Sequence, residues 1–230
     1  MGLETCRQLA AQGFTVVLTS RNSKAGKKLA ETLRGEGLDI IHHRLDVTQP
    51  QSARQLAGFI EHTYGRVDVL VNNAGACLEP ISDVNKPGAR SLLDVSDEIL
   101  QQTVLTNAMG PLYVARALAG MMRQRQSGRI INITSRMGAL SEMGTGIPAY
   151  RFSKGVLNLI TCMLAAELRE QGIKVNAVDP GWVKTSMGGF ERAPKSVEEG
   201  VDTTIWLATM KDGDEVPSGR CFRDRQPAEW

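Results

Sequence analysis

The sequence predicts an α/β protein with a doubly wound parallel sheet. Short runs rich in β-branched residues alternate along the chain with longer segments of helical periodicity. Several of the short runs are apolar on both faces, which suits strands that helices cover on both sides. At 230 residues the chain has the length of one α/β domain, so we expect a single domain over 1–230 with right-handed crossovers.

The elements follow from this pattern in chain order. The first is a helix at 3–12 with no strand before it. Because folds of this kind begin with a strand, a glycine-rich turn and a helix, we expect the first strand of the sheet to be missing. The strands are then expected at 14–20, 39–45, 67–72, 129–134 and 173–179, with a weaker one near 219–224. The helices between them are expected at 24–35, 50–63, 97–123, 149–171 and 197–209.

Composition excludes several classes of function. Lys and Arg number 27 against 25 Asp and Glu, a net charge of +2, so bulk charge predicts no nucleic acid and no membrane as partner. The sequence has neither an apolar run of membrane-spanning length nor a signal-peptide pattern. The four cysteines lie far apart without CxxC spacing, which predicts no disulfide framework and no metal site. We expect a cytoplasmic protein.

Polar and glycine-containing segments follow three of the expected strands. They are Asn72–Gly75, Thr134–Gly138 and Asp179–Gly181. Because the carboxyl ends of parallel strands meet at one edge of a sheet, and ligands bind there, we expect these segments to lie together.

Tyr150 and Lys154 stand four residues apart near the start of a predicted helix, so their side chains share one face. A tyrosine with an ordinary pKa near 10 is a poor base at neutral pH. We expect the Lys154 ammonium to lower the pKa of Tyr150, while Ser135 holds a carbonyl oxygen by a hydrogen bond. No side chain supplies a hydride, so reduction at this site requires a cofactor.

Together these motifs resemble the classical short-chain dehydrogenases/reductases over nearly the whole chain. NNAG at 72–75, Asn107 in TNAMG, Ser135 in ITSRMG, YRFSK at 150–154 and Pro180-Gly181 stand in the order and at the strand ends of that family. The resemblance implies a Rossmann-like fold with one NAD(P)-binding domain. It also implies an oxidoreductase that moves a hydride between a nicotinamide cofactor and a small carbonyl or secondary alcohol.

The resemblance assigns a role to each matching residue. Tyr150 is the expected acid/base, Lys154 lowers its pKa and holds the nicotinamide ribose, Ser135 orients the carbonyl, and Asn107 anchors a water beside the lysine. The cofactor-binding residues implied are Gly2, Arg21, Asp46, Val47, Asn73, Ala74, Gly75, Tyr150, Lys154, Pro180, Gly181, Val183 and Thr185. Gly2 resembles the last glycine of the family's TGxxxGxG turn, whose earlier part does not precede it.

The strand at 14–20 ends in Ser20-Arg21-Asn22. NAD-binding members place an acid there, whereas a guanidinium pairs with the 2′-phosphate of NADP. The predicted cofactor is therefore NADP(H), with NAD(H) as the less favoured alternative.

The carboxyl-terminal third resembles the carbonyl reductase branch of the family, although only 14 residues separate Ser135 from Tyr150. Animal members of that branch carry a long insertion there that is associated with a monomeric state. A homodimer formed through the long helices therefore remains open for this chain.

An alternative function follows from the expected loss of the first strand. The chain would then be a truncated, catalytically silent family member that cannot bind cofactor or acts only by pairing with a partner subunit. The intact catalytic set favours the enzyme. A serine hydrolase is disfavoured because no GxSxG segment surrounds Ser135.

Overall fold

The computed structural model describes residues 1–80, 82, 84–211 and 215–230, in which helices and strands alternate. The α-helices are α1 (Gly2–Ala11), α2 (Ser23–Gly35), α3 (Pro50–Tyr64), α4 (Asp97–Val104), α5 (Gly110–Arg125), α6 (Pro148–Glu167) and α7 (Val197–Thr209). The strands are β1 (Val16–Ser20), β2 (Ile40–Arg44), β3 (Val69–Asn72), β4 (Gly128–Ile133), β5 (Ile173–Val178), β6 (Cys221–Arg223) and β7 (Gln226–Ala228).

The strands form two hydrogen-bonded groups. β1 pairs with β2 in parallel, and the second sheet has the order β3-β4-β5-β6-β7. Its strands are parallel except for β7, which pairs antiparallel with β6. Within the described residues, no ladder joins β1 to β3, which is the place where the sequence predicts a missing strand.

Apolar clusters on both faces nevertheless include side chains from both groups of strands. On one face Val16 of β1 and Val71 of β3 pack against a cluster that includes Leu9 of α1. On the other face Val17 and Leu70 pack against a cluster from α3 and α5. Since alternate residues of a strand point to opposite faces, β1 and β3 lie as strands of one layer between two layers of helices.

The predicted α/β fold is confirmed, and most elements lie within two residues of their expected bounds. One difference includes the predicted site residue Asn107. The helix expected over 97–123 contains a π-helical turn, Leu105–Met109, between α4 and α5. Pro111 has no N–H to donate to the carbonyl of Asn107, so the ordinary helical bond at that point is absent. The amide of Gly110 bonds instead to the carbonyl of Leu105.

The second difference is β7, which the sequence analysis did not predict. It has three residues, one of them Pro227, and follows β6 through a two-residue turn. Asp224 and Arg225 in that turn have φ angles of 51° and 60°, the left-handed conformation that two-residue hairpins use. The weak strand expected near 219–224 is thus the first half of a hairpin.

Candidate active site

The expected catalytic residues converge at the carboxyl edge of the larger sheet. Ser135 follows β4, Asp179 follows β5, and α6 brings Tyr150 and Lys154 to the same place. Asn107 reaches it from the π-helical turn. The structure thus places all four residues of the predicted catalytic set around one point.

Tyr150 and Lys154 occupy the first two turns of α6. The Lys154 Nζ lies 5.6 Å from the centre of the Tyr150 ring. It donates a hydrogen bond of 2.7 Å to the carbonyl oxygen of Ile133, the last residue of β4. Since Lys154 is only 4% exposed, its ammonium group is held in a fixed position behind the phenol.

Burial governs the ionisation of both side chains. It lowers the pKa of Lys154 to about 8, although Asp179 and Cys77 act in the opposite direction. It raises the pKa of Tyr150 well above the ordinary value, and the hydrogen bond with Ser135 only partly offsets this. The lowered tyrosine pKa that we expected is therefore wrong: desolvation of the phenolate is the largest cause of the raised value, and Cys77 and Asp179 act in the same direction. At neutral pH the Tyr150 phenol therefore keeps its proton.

Ser135 is placed by the turn that follows it. Its hydroxyl accepts the amide of Met137 at 3.2 Å, and its backbone is extended. Gly138 then lies against α6 so closely that a Cβ there would come within 2.6 Å of the Gly155 nitrogen. The absence of a side chain at 138 lets this turn touch α6 and brings Ser135 to Tyr150.

Asn107 is fully buried and ties three segments together. Its Oδ1 accepts the amide of Ala76 at 2.7 Å, and its Nδ2 donates to the carbonyl of Ala76 at 2.8 Å and to the hydroxyl of Ser153 at 2.9 Å. The chain after Gly75 is thereby fixed against α6.

A buried polar network lies beneath the site. Asn72 donates to Asn132 at 2.8 Å, and Asn132 donates to Thr161 on α6 at 2.8 Å. Thr134 donates to Asn158, which in turn donates to the carbonyl of Gly138. Satisfied networks of this kind make a core rigid, so β3, β4 and α6 keep a fixed relative position.

The segment after β5 is anchored by an ion pair. Asp179 is 3% exposed and receives the Nε of Arg223 at 2.6 Å. Its other oxygen accepts the amide of Gly181 at 2.9 Å, and Gly181 has a φ of 76°. Val183 is buried beside Gly200 of α7, and Thr185 bonds within its own loop. Of the four cofactor residues expected here, Pro180 and Gly181 lie nearest the strand end.

A second group of predicted residues lies where α1 begins and β3 ends. A Cβ on Gly2 would come within 2.6 Å of the Asn73 side chain, and one on Gly75 would lie 3.7 Å from the Lys154 Nζ. Ala74 and Gly75 are exposed. The start of α1 has no side-chain cap. It therefore lies next to the carboxyl end of β3, which is the end where Lys154 lies.

Arg21 directly follows β1, and Asp46 and Val47 follow β2. Arg21 is exposed. The pKa of Asp46 is lowered chiefly by the hydrogen bond from Thr48 and further by Arg21 and Arg44. Val47 packs closely against Gly110. Arg21 and Arg44 thus both contribute positive charge to the surroundings of this carboxylate.

Sequence reasoning missed several residues that contact the site. Arg44, Ser153 and Arg223 have the contacts given above, and Asp179 was expected at this edge but without its pairing to Arg223. Glu79 is a buried carboxylate, 4% exposed, whose oxygens accept the backbone amides of Ala149 and Tyr150. Only its position soon after NNAG could have suggested it, since the contact joins residues 71 apart.

No three His, Cys, Asp or Glu side chains come together as a metal site within the described residues. In the same part of the chain, no helix combines the length and apolarity that crossing a bilayer requires.

A parallel α/β sheet with serine, tyrosine, lysine and asparagine at its carboxyl edge defines a class of oxidoreductases. The family model for the short chain dehydrogenase matches residues 1–196, and the chain belongs to that family.

Characterised relatives cover the chain almost completely. It is 32% identical to (+)-neomenthol dehydrogenase of Arabidopsis thaliana, with 100% of this chain and 94% of the relative covered. It is 30% identical to carbonyl reductase [NADPH] 1 of Sus scrofa, with 99% and 88% covered. The NADPH-bound carbonyl reductase from chicken fatty liver superposes with a TM-score of 0.78 at 26% identity, over 94% of this chain and 87% of that one.

Proposed function

We propose that the chain catalyses the NADPH-dependent reduction of a small-molecule ketone or aldehyde, or the reverse oxidation of a secondary alcohol. The observation that carries the proposal is the convergence of Ser135, Tyr150, Lys154 and Asn107 at one sheet edge. The named activities of the two relatives above support the substrate class.

The residues at the sheet edge fit a dinucleotide. Gly2 packs its backbone directly against the Asn73 side chain, and Gly75 lies beside Asn107 and Lys154, so backbone without side chains lines this edge and can approach a bound group closely. The uncapped start of α1 presents amides that suit a pyrophosphate. Gly2, Asn73, Ala74 and Gly75 would hold its centre, Asp46 and Val47 the adenine, and Pro180 and Gly181 with Val183 and Thr185 the far end. When bound, the nicotinamide supplies the hydride.

The protein's own residues handle the oxygen of the substrate. Ser135 donates a hydrogen bond to the carbonyl oxygen and orients it. Tyr150, protonated at neutral pH, transfers its proton to that oxygen as negative charge develops there. Lys154 stabilises the phenolate that remains, and Asn107 fixes the backbone beside Lys154. The buried surroundings strengthen each of these interactions.

Arg21 and Arg44 support NADP(H) over NAD(H). Both guanidinium groups act on Asp46, and β1 and β2 place Ser20 opposite Arg44. A 2′-phosphate at this corner would receive two cations, whereas the ribose hydroxyls of NAD(H) require an acceptor that Arg21 does not provide.

The first test is thermal unfolding with NADPH, with NADH and without cofactor, followed by assays on a panel of carbonyl compounds. Binding to the folded state raises the unfolding midpoint, and we expect a larger rise with NADPH. No rise with either cofactor and no turnover of any carbonyl would refute the proposal.

Among the described residues no ladder joins β1 to β3, and this observation favours a second candidate function. A sheet interrupted there would hold its two cofactor-binding corners less rigidly, and the chain would then be silent and act by pairing with a partner subunit. The same unfolding experiment separates the two functions, since the silent chain gives no cofactor-dependent shift.

Homodimerisation and a cytoplasmic location stay predictions. Phe152, Leu159 and Met163 on α6 are each about half exposed, which supports burial of this face against a second copy. Sedimentation at several protein concentrations tests it, and a mass of 25.0 kDa throughout would contradict the dimer.

A further inference from the structure

Glu79 contacts the helix that carries the proposed acid. Its carboxylate accepts the backbone amide of Tyr150 at 3.0 Å and that of Ala149 at 3.4 Å. Glu79 is 4% exposed, so the carboxylate is withdrawn from water and committed to these two donors. A buried charge is tolerated only where such donors satisfy it.

The start of α6 lacks the usual source of those bonds. Helix starts leave their first amides without partners, and a Ser, Thr, Asp or Asn at the N-cap normally accepts them. Here the N-cap is Ile147, whose side chain has no acceptor, and Pro148 has no N–H. The open amides are those of Ala149 and Tyr150, the two that Glu79 binds. A negative charge also suits the positive end of the helix dipole.

The backbone that enters α6 is held from the other side as well. Gly146 and Ile147 have φ angles of 76° and 48°, and a β-branched residue rarely adopts that conformation. The buried guanidinium of Arg151 donates to the carbonyls of Gly146, Thr145 and Glu142. The surroundings thus impose an unusual path on the chain just before Tyr150, as they do at many functional sites.

Glu79 also belongs to the segment that leaves β3. The Cys77 thiol donates to the Glu79 carbonyl at 3.3 Å, and Asn107 fixes Ala76. A continuous path of contacts therefore runs from the proposed cofactor residues at 73–75 to the first turn of α6.

We propose that Glu79 is a positioning residue, which fixes Tyr150 relative to Ser135 by capping the first turn of α6 from the segment that follows β3. This inference rests on the proposed function for the reaction that it serves. Within the described residues the Glu79 carboxylate bonds to backbone amides, so Glu79 acts through the position of Tyr150.

Two substitutions of different severity test the inference. Glu79→Gln keeps the shape and one acceptor oxygen, whereas Glu79→Ala removes both bonds. Because misplacement by about 1 Å can cost a hundredfold in rate, we expect kcat to fall about tenfold in Glu79→Gln and about a hundredfold in Glu79→Ala. The KM values for NADPH and for the carbonyl should stay within about threefold, since no binding contact is lost.

Ser96→Ala is the matched control. Ser96 caps α4 by accepting the amide of Ile99, so its loss lowers the unfolding midpoint through a cap that lies outside the site. We expect its kcat to stay within about twofold of the wild type. If Glu79→Gln also keeps kcat within about twofold while its unfolding midpoint falls, Glu79 is merely structural and the inference is overturned. Glu79→Gln decides this even if Glu79→Ala does not fold.

A second readout does not depend on turnover. The ultraviolet absorbance of tyrosinate, taken as the difference between each protein and its Tyr150→Phe counterpart, reports the ionisation of Tyr150 alone. Ser135, Cys77, Asp179 and Lys154 surround this side chain in all variants. We expect the pKa of Tyr150 to fall towards its ordinary value of about 10 in Glu79→Ala, as a loosened first turn admits water.

The two readouts separate the two proposals. A wild type that reduces no carbonyl refutes the proposed function, and the tyrosine titration still tests Glu79. An unchanged titration in folded Glu79→Ala and Glu79→Gln overturns the positioning role, whatever the activity.

Discussion

The two groups of strands differ in how firmly they hold their functional residues. β4 and β5 bury five of their six residues each, and polar bonds join β3 and β4 to α6. β1 buries one of its five residues and pairs only with β2 among the described strands. The proposed acid and its partners depend on the first group, and the proposed discrimination between cofactors depends on the second.

The residues proposed for proton transfer are therefore held more rigidly than those proposed for cofactor choice. Proton transfer requires groups held to a fraction of an ångström, which a satisfied buried network provides. Recognition of a phosphate by exposed arginines tolerates motion, because long-range attraction falls slowly with distance. We therefore expect large and specific effects from changes around β4 and α6, and smaller, graded effects around β1 and β2.

The largest effect is expected from Tyr150→Phe, which removes the proton but keeps the ring. Loss of a general acid costs about 10²–10⁴-fold, so kcat for carbonyl reduction should fall by about a thousandfold. The dissociation constant of NADPH should change little. Steady-state kinetics and fluorescence titration with NADPH measure the two quantities.

Tyr113→Phe is the control for this variant. Tyr113 packs against the α3 and α5 cluster and lies outside the site, so activity should persist. Retained turnover in Tyr150→Phe would show that Tyr150 is not the proton donor of the proposed reaction. The region around β4 and α6 would then no longer show the larger effect that the comparison predicts.

Truncation of an apolar side chain should destabilise the protein more in β4 than in β1. Ile131 of β4 is 1% exposed, and Ile131→Ala should lower the free energy of unfolding by about 3 kcal/mol. Val16 of β1 is half-buried, so Val16→Ala should cost only about 1 kcal/mol. Urea unfolding followed by circular dichroism measures both. Equal losses would show that β1 is packed as tightly as β4, contrary to the comparison.

The same contrast separates what the sequence could predict from what it could not. Strands such as 129–134 are continuous apolar runs, and YRFSK has its spacing within one helix, so local pattern is enough for both. The fold class and the meeting of Ser135, Tyr150 and Lys154 follow from these local signals together with the rule that ligands bind at strand ends.

The rest depends on contacts between distant residues. Nothing near Glu79 in the chain shows that it binds the amide of Tyr150, and nothing near Asp179 shows the pairing with Arg223. The direction of the Tyr150 pKa was missed for the same reason, since the sequence shows the nearby lysine but not the burial that raises this pKa. The π-helical turn had a signal in Pro111, which removes the partner of the Asn107 carbonyl.

The buried Lys154 should make the free energy of unfolding depend on pH. Below about pH 8 Lys154 is protonated in both the folded and the unfolded chain, so the cost of burying the ammonium is fully present. Between about pH 8 and the unfolded value of 10.5 the unfolded chain binds more protons, so the free energy of unfolding rises with pH. Relative to Lys154→Met, the wild type should gain about 2 kcal/mol between pH 7.5 and 9.5.

Urea unfolding of both proteins at several pH values measures this gain, and the difference between them cancels the titration of the cysteines. A difference that stays constant with pH would mean that the lysine is hydrated. Its amine would then be mobile, which would contradict the fixed position assigned to Lys154 between β4 and α6.

The smallest effect is expected at the other region. Arg21→Asp replaces an exposed cation at the end of β1 with an acid that suits ribose hydroxyls. One charge-assisted pair in an exposed setting amounts to about 1–2 kcal/mol, so NADPH affinity should fall about tenfold while NADH affinity is kept or improved. Arg44→Asp should give a smaller loss, and Arg54→Asp on α3, whose guanidinium bonds to Gln51, should give none. Binding titrations with both cofactors measure these changes. Equal losses of NADPH and NADH in Arg21→Asp would indicate damage to the β1–β2 pair instead of a lost phosphate contact, and cofactor choice would then have to be assigned to another part of the site.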